Sequence, residues 1–353
     1  MEKEKVMYKS QIDPQDMFGA IYRFADQIQE AIGIGEQINL KNDYSACKNI
    51  IVAGMGGSAI GGDVVKTLVH HELKIPFYVN RNYTLPKWAD EKTLIICSSY
   101  SGNTEESLSA YEDALKKGTM ICGISTGGQL SERIQAKGFD LITIPGGLQP
   151  RAALAYSFVP MLYLLINIKL ISNSLIDNLS RSIASLEKKR DTYSIGDTTN
   201  PIFKMAKEIY GMIPIIYGIT DTTAVVALRW KGQLCENSKM LAYHNEIPEL
   251  NHNEIVGWGN NPDLLSELSV IWLRDKNDNE RLRARQDITK TLLNDIDIMQ
   301  HEVSAEGANS VERLLDLINY GDWLSYWCAI LHNTDPSPVE KINKLKKALE
   351  ELE

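Results

Sequence analysis

Short apolar runs that alternate with helical patterns constrain this chain more than any other feature. Five of them, at residues 49–53, 75–79, 93–97, 119–124 and 141–144, are each four to six residues long. Helical spacing fills the intervals up to Val69 and from Glu105 to about Lys117. Strands separated by helices need crossover connections, so these runs are expected to build a parallel sheet with helices on both faces. A second series follows, with strands expected at 213–217, 268–273 and 296–303 and helices at 222–240, 279–293 and 309–332. A last helix starts at Ser337-Pro338, and residues 242–261 read as irregular.

Upstream, residues 13–35 read as one amphipathic helix. Asp13 and Pro14 supply an N-cap and a first-turn proline, and Phe18, Ile21, Phe24, Ile28 and Ile32 recur at helical spacing. Residues 151–190 read as helix, and the polar stretch 191–201 as a domain boundary. The expected organisation is an N-terminal helical segment at 1–40, a first α/β domain at 41–190 and a second at 191–353. A length of 353 residues suits two such domains better than one core.

Composition excludes several classes. The net charge of −9 argues against nucleic acid, which needs a basic surface. No apolar run reaches the length of a membrane span, and the longest candidate, 158–171, carries Lys169. The opening Met1-Glu2-Lys3-Glu4-Lys5 leads into a polar stretch, so no secretory signal is expected. The five cysteines lack metal-ligand or redox spacing and read as reduced thiols of a cytoplasmic protein.

Small anions remain compatible with this charge, because backbone N–H groups and hydroxyls hold them without net cation. Two strand ends have that composition. Gly56, Gly57 and Ser58 follow the run at 49–53, while Ser99, Ser101, Asn103 and Thr104 follow that at 93–97. Each group stands where a strand meets a helix. Tight turns alone would explain the glycines. Three hydroxyls and an asparagine at one strand end exceed what a turn needs. Residues 54–59 also fit the dinucleotide pattern G-x-G-x-x-A, but the second strand ends in Val79-Asn80-Arg81-Asn82, without the carboxylate a ribose would need.

With these loops the chain resembles sugar isomerase (SIS) domains. Three further segments, 150–156 (PRAALAY), 230–237 (WKGQLCEN) and 249–254 (ELNHNE), are similar to those of the bifunctional phosphoglucose/phosphomannose isomerases. The resemblance spans roughly residues 50–350. It implies two SIS-type α/β domains, each a parallel sheet flanked by helices on both faces, and a homodimer acting on a phosphorylated hexose. The phosphate site it implies is Gly57, Ser58, Ser99, Ser101 and Thr104. Its arginine is Arg151, its glutamate base Glu236 and its histidine His252. The C-terminal lysine it implies is Lys346, with Lys347 adjacent.

Those residue types suit aldose–ketose isomerisation. A carboxylate such as Glu236 can carry a proton between C1 and C2. A fixed cation such as Arg151 stabilises the enediolate charge. Histidine and lysine, here His252 and Lys346, suit ring opening. Each also has a plain alternative: a solvated helical glutamate, a surface arginine, a turn-capping histidine, and a basic helix face with Lys341, Lys344 and Lys347. His244, His252, Glu246, Glu249 and Glu254 hint at a metal, but no histidine pair has i, i+4 spacing. Neither a metal nor a cofactor is expected. Two other readings remain open: a sugar-phosphate-binding regulator without catalysis, and an isomerase restricted to glucose 6-phosphate.

Overall fold

The computed structural model describes residues 11–296 and 298–352. They form two compact units. One comprises Arg23–Glu187 with Gly307–Leu315, and the other the described residues of Met1–Tyr22, Lys188–Glu306 and Asp316–Glu353.

The first unit is built on a five-stranded parallel sheet of β1 (Asn49–Ala53), β2 (Phe77–Asn80), β3 (Thr93–Ser99), β4 (Met120–Ser125) and β5 (Asp140–Thr143). The strand order is β2-β1-β3-β4-β5. Odd-numbered strand residues Ile51, Ala53, Ile95, Cys97 and Ile121 pack under Ala110, Tyr111 and Ala114 of helix Glu105–Lys117 and under Leu130 and Ile134 of helix Gly128–Ala136. The opposite face, with Val52, meets helix Gly56–Val69, where Gly62 lets the two approach. Both faces being covered, all seven residues of β3 are buried.

A buried carboxylate closes the far side of this sheet. Asp140, at the start of β5, accepts hydrogen bonds from Lys41 N (2.8 Å), Asn42 N (3.0 Å), Asn42 Nδ2 (3.0 Å) and Tyr44 OH (2.8 Å). Burial pushes its carboxyl up, but the four donors outweigh that and hold it below its ordinary value. A depressed carboxylate stabilises the fold above its unfolded value, here 3.8, and the contribution is lost as pH falls through the folded value. Asp140→Asn is therefore expected to cost about 1.5 to 3 kcal/mol at pH 7, read from urea unfolding midpoints. The gap from wild type should narrow at pH 3.

The second unit carries a four-stranded parallel sheet of β6 (Ile213–Ile219), β7 (Tyr243–Ile247), β8 (Leu268–Arg274) and β9 (Met299–Ser304), in the order β7-β6-β8-β9. Tyr217, Val270 and Trp272 pack with Leu250, Trp258 and Leu293. Trp230, Trp323 and Tyr326 are also fully buried.

Both sheets meet the α/β expectation, with four local corrections. The expected helix over 13–35 is two helices, Met17–Tyr22 and Phe24–Glu36, broken at Arg23. Asp13 does cap, but its carboxylate accepts from Met17 N and Phe18 N (both 2.8 Å), so the helix starts after Pro14. The expected helix over 151–190 divides into Leu154–Asn167 and Ser174–Tyr193, with Lys169 between them at φ 62°. Residues 242–261 are not all irregular, since they contain strand β7. As an edge strand with Tyr243 and His244 exposed, β7 lacks an apolar run to betray it. Helix Pro201–Glu208, capped by Asn200 Oδ1 accepting from Ile202 N (2.9 Å), begins inside the expected boundary.

Candidate active site

From β1 the chain crosses to β2 on one side and then returns to β3 on the other. Such a reversal leaves a crevice outside the carboxyl ends of the two central strands, where α/β sheets bind ligands. The Gly54–Ser58 loop leaves β1 there, and the Ser99–Thr104 loop leaves β3.

Each loop opens a helix. Helix Gly56–Val69 follows Met55 and helix Glu105–Lys117 follows Thr104, and neither N-cap residue makes a side-chain cap. The first amides of both helices thus lack intrahelical acceptors and suit an anion. Gly56 sits at φ 49°, in the left-handed region that favours glycine. Gly57 is constrained from outside: a Cβ there would lie 2.5 Å from Pro150 O and 3.3 Å from Arg151 N. This contact seats the 3-10 turn Pro150–Ala152, and with it the buried Arg151, against the first loop. Arg151 is therefore not the surface arginine of the alternative reading.

The hydroxyls are braced. Ser58 Oγ accepts from Tyr100 N at 3.2 Å, and Ser101 Oγ from Asn103 N at 3.3 Å. Ser99 Oγ accepts from Gly102 N at 3.1 Å and lies 3.0 Å from Thr104 Oγ1. A hydroxyl has one proton and two acceptor positions. Ser58 and Ser101 act as acceptors in these bonds and keep their protons, while the Ser99–Thr104 pair spends one of its two. The cluster so retains three donors for a bound anion. Asn103 is different. Its Oδ1 accepts from Gln129 N at 3.1 Å, making it a brace to the neighbouring loop. Thr126 Oγ1 braces the same loop by donating to Tyr100 O at 2.8 Å. Its sequence signal was the third hydroxyl- and glycine-rich strand end, Ser125-Thr126-Gly127-Gly128.

Glu236, His252 and Lys346 lie in the second unit. Glu236 is half-buried in the last turn of helix Ala224–Asn237. Side chains to either side of it anchor that helix to helix Ser310–Leu331. Arg229 pairs with Asp322 through Nε–Oδ1 at 3.1 Å and Nη2–Oδ2 at 2.7 Å. Gln233 Nε2 donates to Asp322 Oδ1 at 2.8 Å, Asn237 Nδ2 to Ser325 Oγ at 2.9 Å, and Trp230 Nε1 to Leu317 O at 2.8 Å. His252 is exposed at the end of the 3-10 turn Glu249–His252. The segment is not extended: a second 3-10 turn, Glu254–Gly257, follows it, and Tyr217 OH and Asn245 Nδ2 both donate to Glu254. Lys346 and Lys347 lie on helix Glu340–Glu350, which buries no residue. Among the described residues no three His, Cys, Asp or Glu side chains converge as a metal site would require. Among them, too, no helix is long and apolar enough to cross a membrane.

Comparison with known proteins matches this geometry to a family. Residues 43–165 match the SIS domain, and residues 198–349 match the bacterial phospho-glucose isomerase C-terminal SIS domain. A bifunctional phosphoglucose/phosphomannose isomerase of Caldicellulosiruptor bescii is 44% identical over 95% of this chain and 99% of its own. One of Aquifex aeolicus is 37% identical over 88% of this chain and 93% of its own. Among solved structures, a hypothetical protein of Thermus thermophilus shares the fold with a TM-score of 0.73 at 14% identity, covering 99% of this chain and 93% of that one. With a relative this similar along nearly its whole length, the chain belongs to the bifunctional phosphoglucose/phosphomannose isomerase family.

Proposed function

We propose that this chain interconverts fructose 6-phosphate with glucose 6-phosphate and mannose 6-phosphate, as its relatives' name implies, without a metal or a cofactor. The observation that carries this reading is the anion site at the β1–β3 crevice: two uncapped helix starts, three available hydroxyl protons and the buried Arg151 seated on Gly57. In this reading the 6-phosphate rests on Gly57, Ser58, Ser99, Ser101 and Thr104.

The ketose is isomerised by proton transfer. Glu236 takes a proton from C1 to give the C1–C2 enediolate, and the same carboxyl returns a proton to C2 while the hydroxyl proton of O1 passes to O2, so that O1 becomes the aldehyde oxygen and O2 a hydroxyl. Arg151 stabilises the negative charge on O1 and O2, which exists fully only in the intermediate and so speeds the chemical step. His252 and Lys346 open the ring by moving a proton between O5 and O1 or O2. Two faces of C2 can receive the proton, which yields glucose 6-phosphate or mannose 6-phosphate. The exposure of His252 on its own chain favours a homodimer in which this histidine serves the partner's site. These roles imply a cytoplasmic enzyme of hexose phosphate metabolism.

Two measurements test the reading. Ser101→Ala and Thr104→Ala each remove a donor to a charged group and are expected to weaken fructose 6-phosphate binding by about 1.5 to 3 kcal/mol, read by calorimetry. Wild-type affinity in both variants would put the phosphate elsewhere. Exhaustive chelation with EDTA should leave isomerisation unchanged. Loss restored by zinc or manganese would make His244 and His252 ligand candidates and replace the proton-transfer scheme.

A further inference from the structure

Arg151 stands at the end of a link that is soft by composition. Past β5 the chain runs through Pro145-Gly146-Gly147-Leu148-Gln149 to the turn Pro150–Ala152. Gly146 and Gly147 are both exposed, and Gly147 sits at φ 94°. Adjacent glycines leave the backbone many conformations, so the turn needs an anchor outside its own segment. Gly57 supplies a packing contact on one side. A second anchor is a side chain of the Ser99–Thr104 loop: Leu148 N donates to Tyr100 OH at 3.1 Å.

Tyr100 spends each of its polar groups on a different loop. Its N–H donates to Ser58 Oγ at 3.2 Å, in the loop after β1. Its carbonyl accepts from Thr126 N at 3.2 Å and from Thr126 Oγ1 at 2.8 Å, in the loop after β4. Its phenol oxygen holds the loop after β5. The residue is half-buried, and burial raises its pKa, so at pH 7 the phenol is a neutral hydroxyl with an oxygen free to accept. The backbone ties would be made by any residue at this position. The phenol tie requires tyrosine, and phenylalanine would fill the same space without it.

We propose that Tyr100 is a positioning residue for Arg151: its phenol fixes the Leu148 amide and so holds the Pro150–Ala152 turn against the anion loops. All of these residues belong to one compact unit. The inference deepens the proposed function and rests on that reading for the role of Arg151. At one end of this chain of bonds Ser58 is a proposed phosphate donor. At the other, Arg151 is the proposed partner of the charge on O1 and O2. Tyr100 then sets the spacing between the part of the sugar phosphate that is held and the part that reacts. A displacement of about 1 Å in such a group can cost on the order of a hundredfold in rate.

Tyr100→Phe in the full-length protein tests it, with circular dichroism to check that the variant folds. The substitution keeps the backbone ties to Ser58 and Thr126 and removes only the phenol oxygen. On fructose 6-phosphate, kcat should fall on the order of tenfold. KM and the calorimetric affinity for inorganic phosphate should stay within about twofold, because an interaction realised only in the transition state lowers kcat and kcat/KM together. Hydrogen–deuterium exchange should quicken on the order of tenfold or more in residues 146–153 and stay unchanged in 99–104. Wild-type kcat overturns the proposal. So does a raised KM at unchanged kcat, because the phenol then serves the anion loops. A fall in kcat with wild-type exchange at 146–153 overturns it too, because the phenol then acts on the substrate itself. A wild-type protein without turnover would fail the isomerase reading instead, and exchange at 146–153 would still decide whether Tyr100 holds the Arg151 turn.

Discussion

Glu236→Gln is expected to lower turnover on fructose 6-phosphate at least a hundredfold, the usual scale for loss of a general base. The substitution keeps the side chain's shape and removes its ability to accept the transferred proton. The Michaelis constant should change little, because the proposed phosphate donors lie on the Ser58 and Ser99–Thr104 loops. Folding should also be unaffected. The anchors of helix Ala224–Asn237 are Arg229, Trp230, Gln233 and Asn237, whose bonds to Leu317, Asp322 and Ser325 do not involve the Glu236 side chain. Turnover within tenfold of wild type would remove Glu236 from the role.

The largest effect on stability is expected at Asp322. Its carboxylate receives both Arg229 and Gln233 in the interior of the second unit, and the Arg229–Asp322 side chains are 3% and 7% exposed. Asp322→Ala strips the buried guanidinium of its carboxylate, which costs about 3 to 5 kcal/mol. For a unit of this size that corresponds to a fall in melting temperature of roughly 6 to 20 °C. The double variant Arg229→Met/Asp322→Leu removes both charges and should recover most of the loss, since apolar packing replaces buried ion pairs at little cost. A single variant melting within about 2 °C of wild type, on the same scale, would show that the pair does not hold the Glu236 helix in place.

What could be read from the chain follows from burial. β1, β3 and β4 are enclosed on both faces, so they read as continuous apolar runs, and β1 matches its expected span of 49–53. β7 is an edge strand, and Tyr243-His244-Asn245-Glu246 has no periodicity to distinguish it from a loop. The break at Arg23 was hidden for a different reason. The apolar spacing from Phe18 to Ile32 runs straight across it, yet Tyr22 and Arg23 fall in different compact units. Gly307–Leu315 folds with Arg23–Glu187, an association between distant segments that no scan along the chain locates.

The site was legible in part for the same reason. Glycines and hydroxyls at strand ends point to a candidate anion loop, and Gly57 has a packing reason to be there: its missing Cβ makes room for Pro150 and Arg151. Asn103 looked like a ligand-side residue and is a brace, since side-chain composition does not tell which way an amide turns. Glu236, His252 and Lys346 carry no such local signature. A glutamate in a helix, a histidine in a turn and a lysine in a basic helix are ordinary surface residues, and it is the resemblance of segments 230–237 and 249–254 to the isomerase family that singles out Glu236 and His252.

The central claim is aldose–ketose isomerisation by proton transfer, and one measurement meets it directly. The purified protein is incubated with fructose 6-phosphate in D2O, and the products are followed by NMR to equilibrium. The account predicts that glucose 6-phosphate and mannose 6-phosphate both form and that both acquire deuterium at C2, because a proton held on a carboxylate exchanges with solvent. Formation of neither aldose, or of aldoses that reach equilibrium with no deuterium at C2, would contradict it.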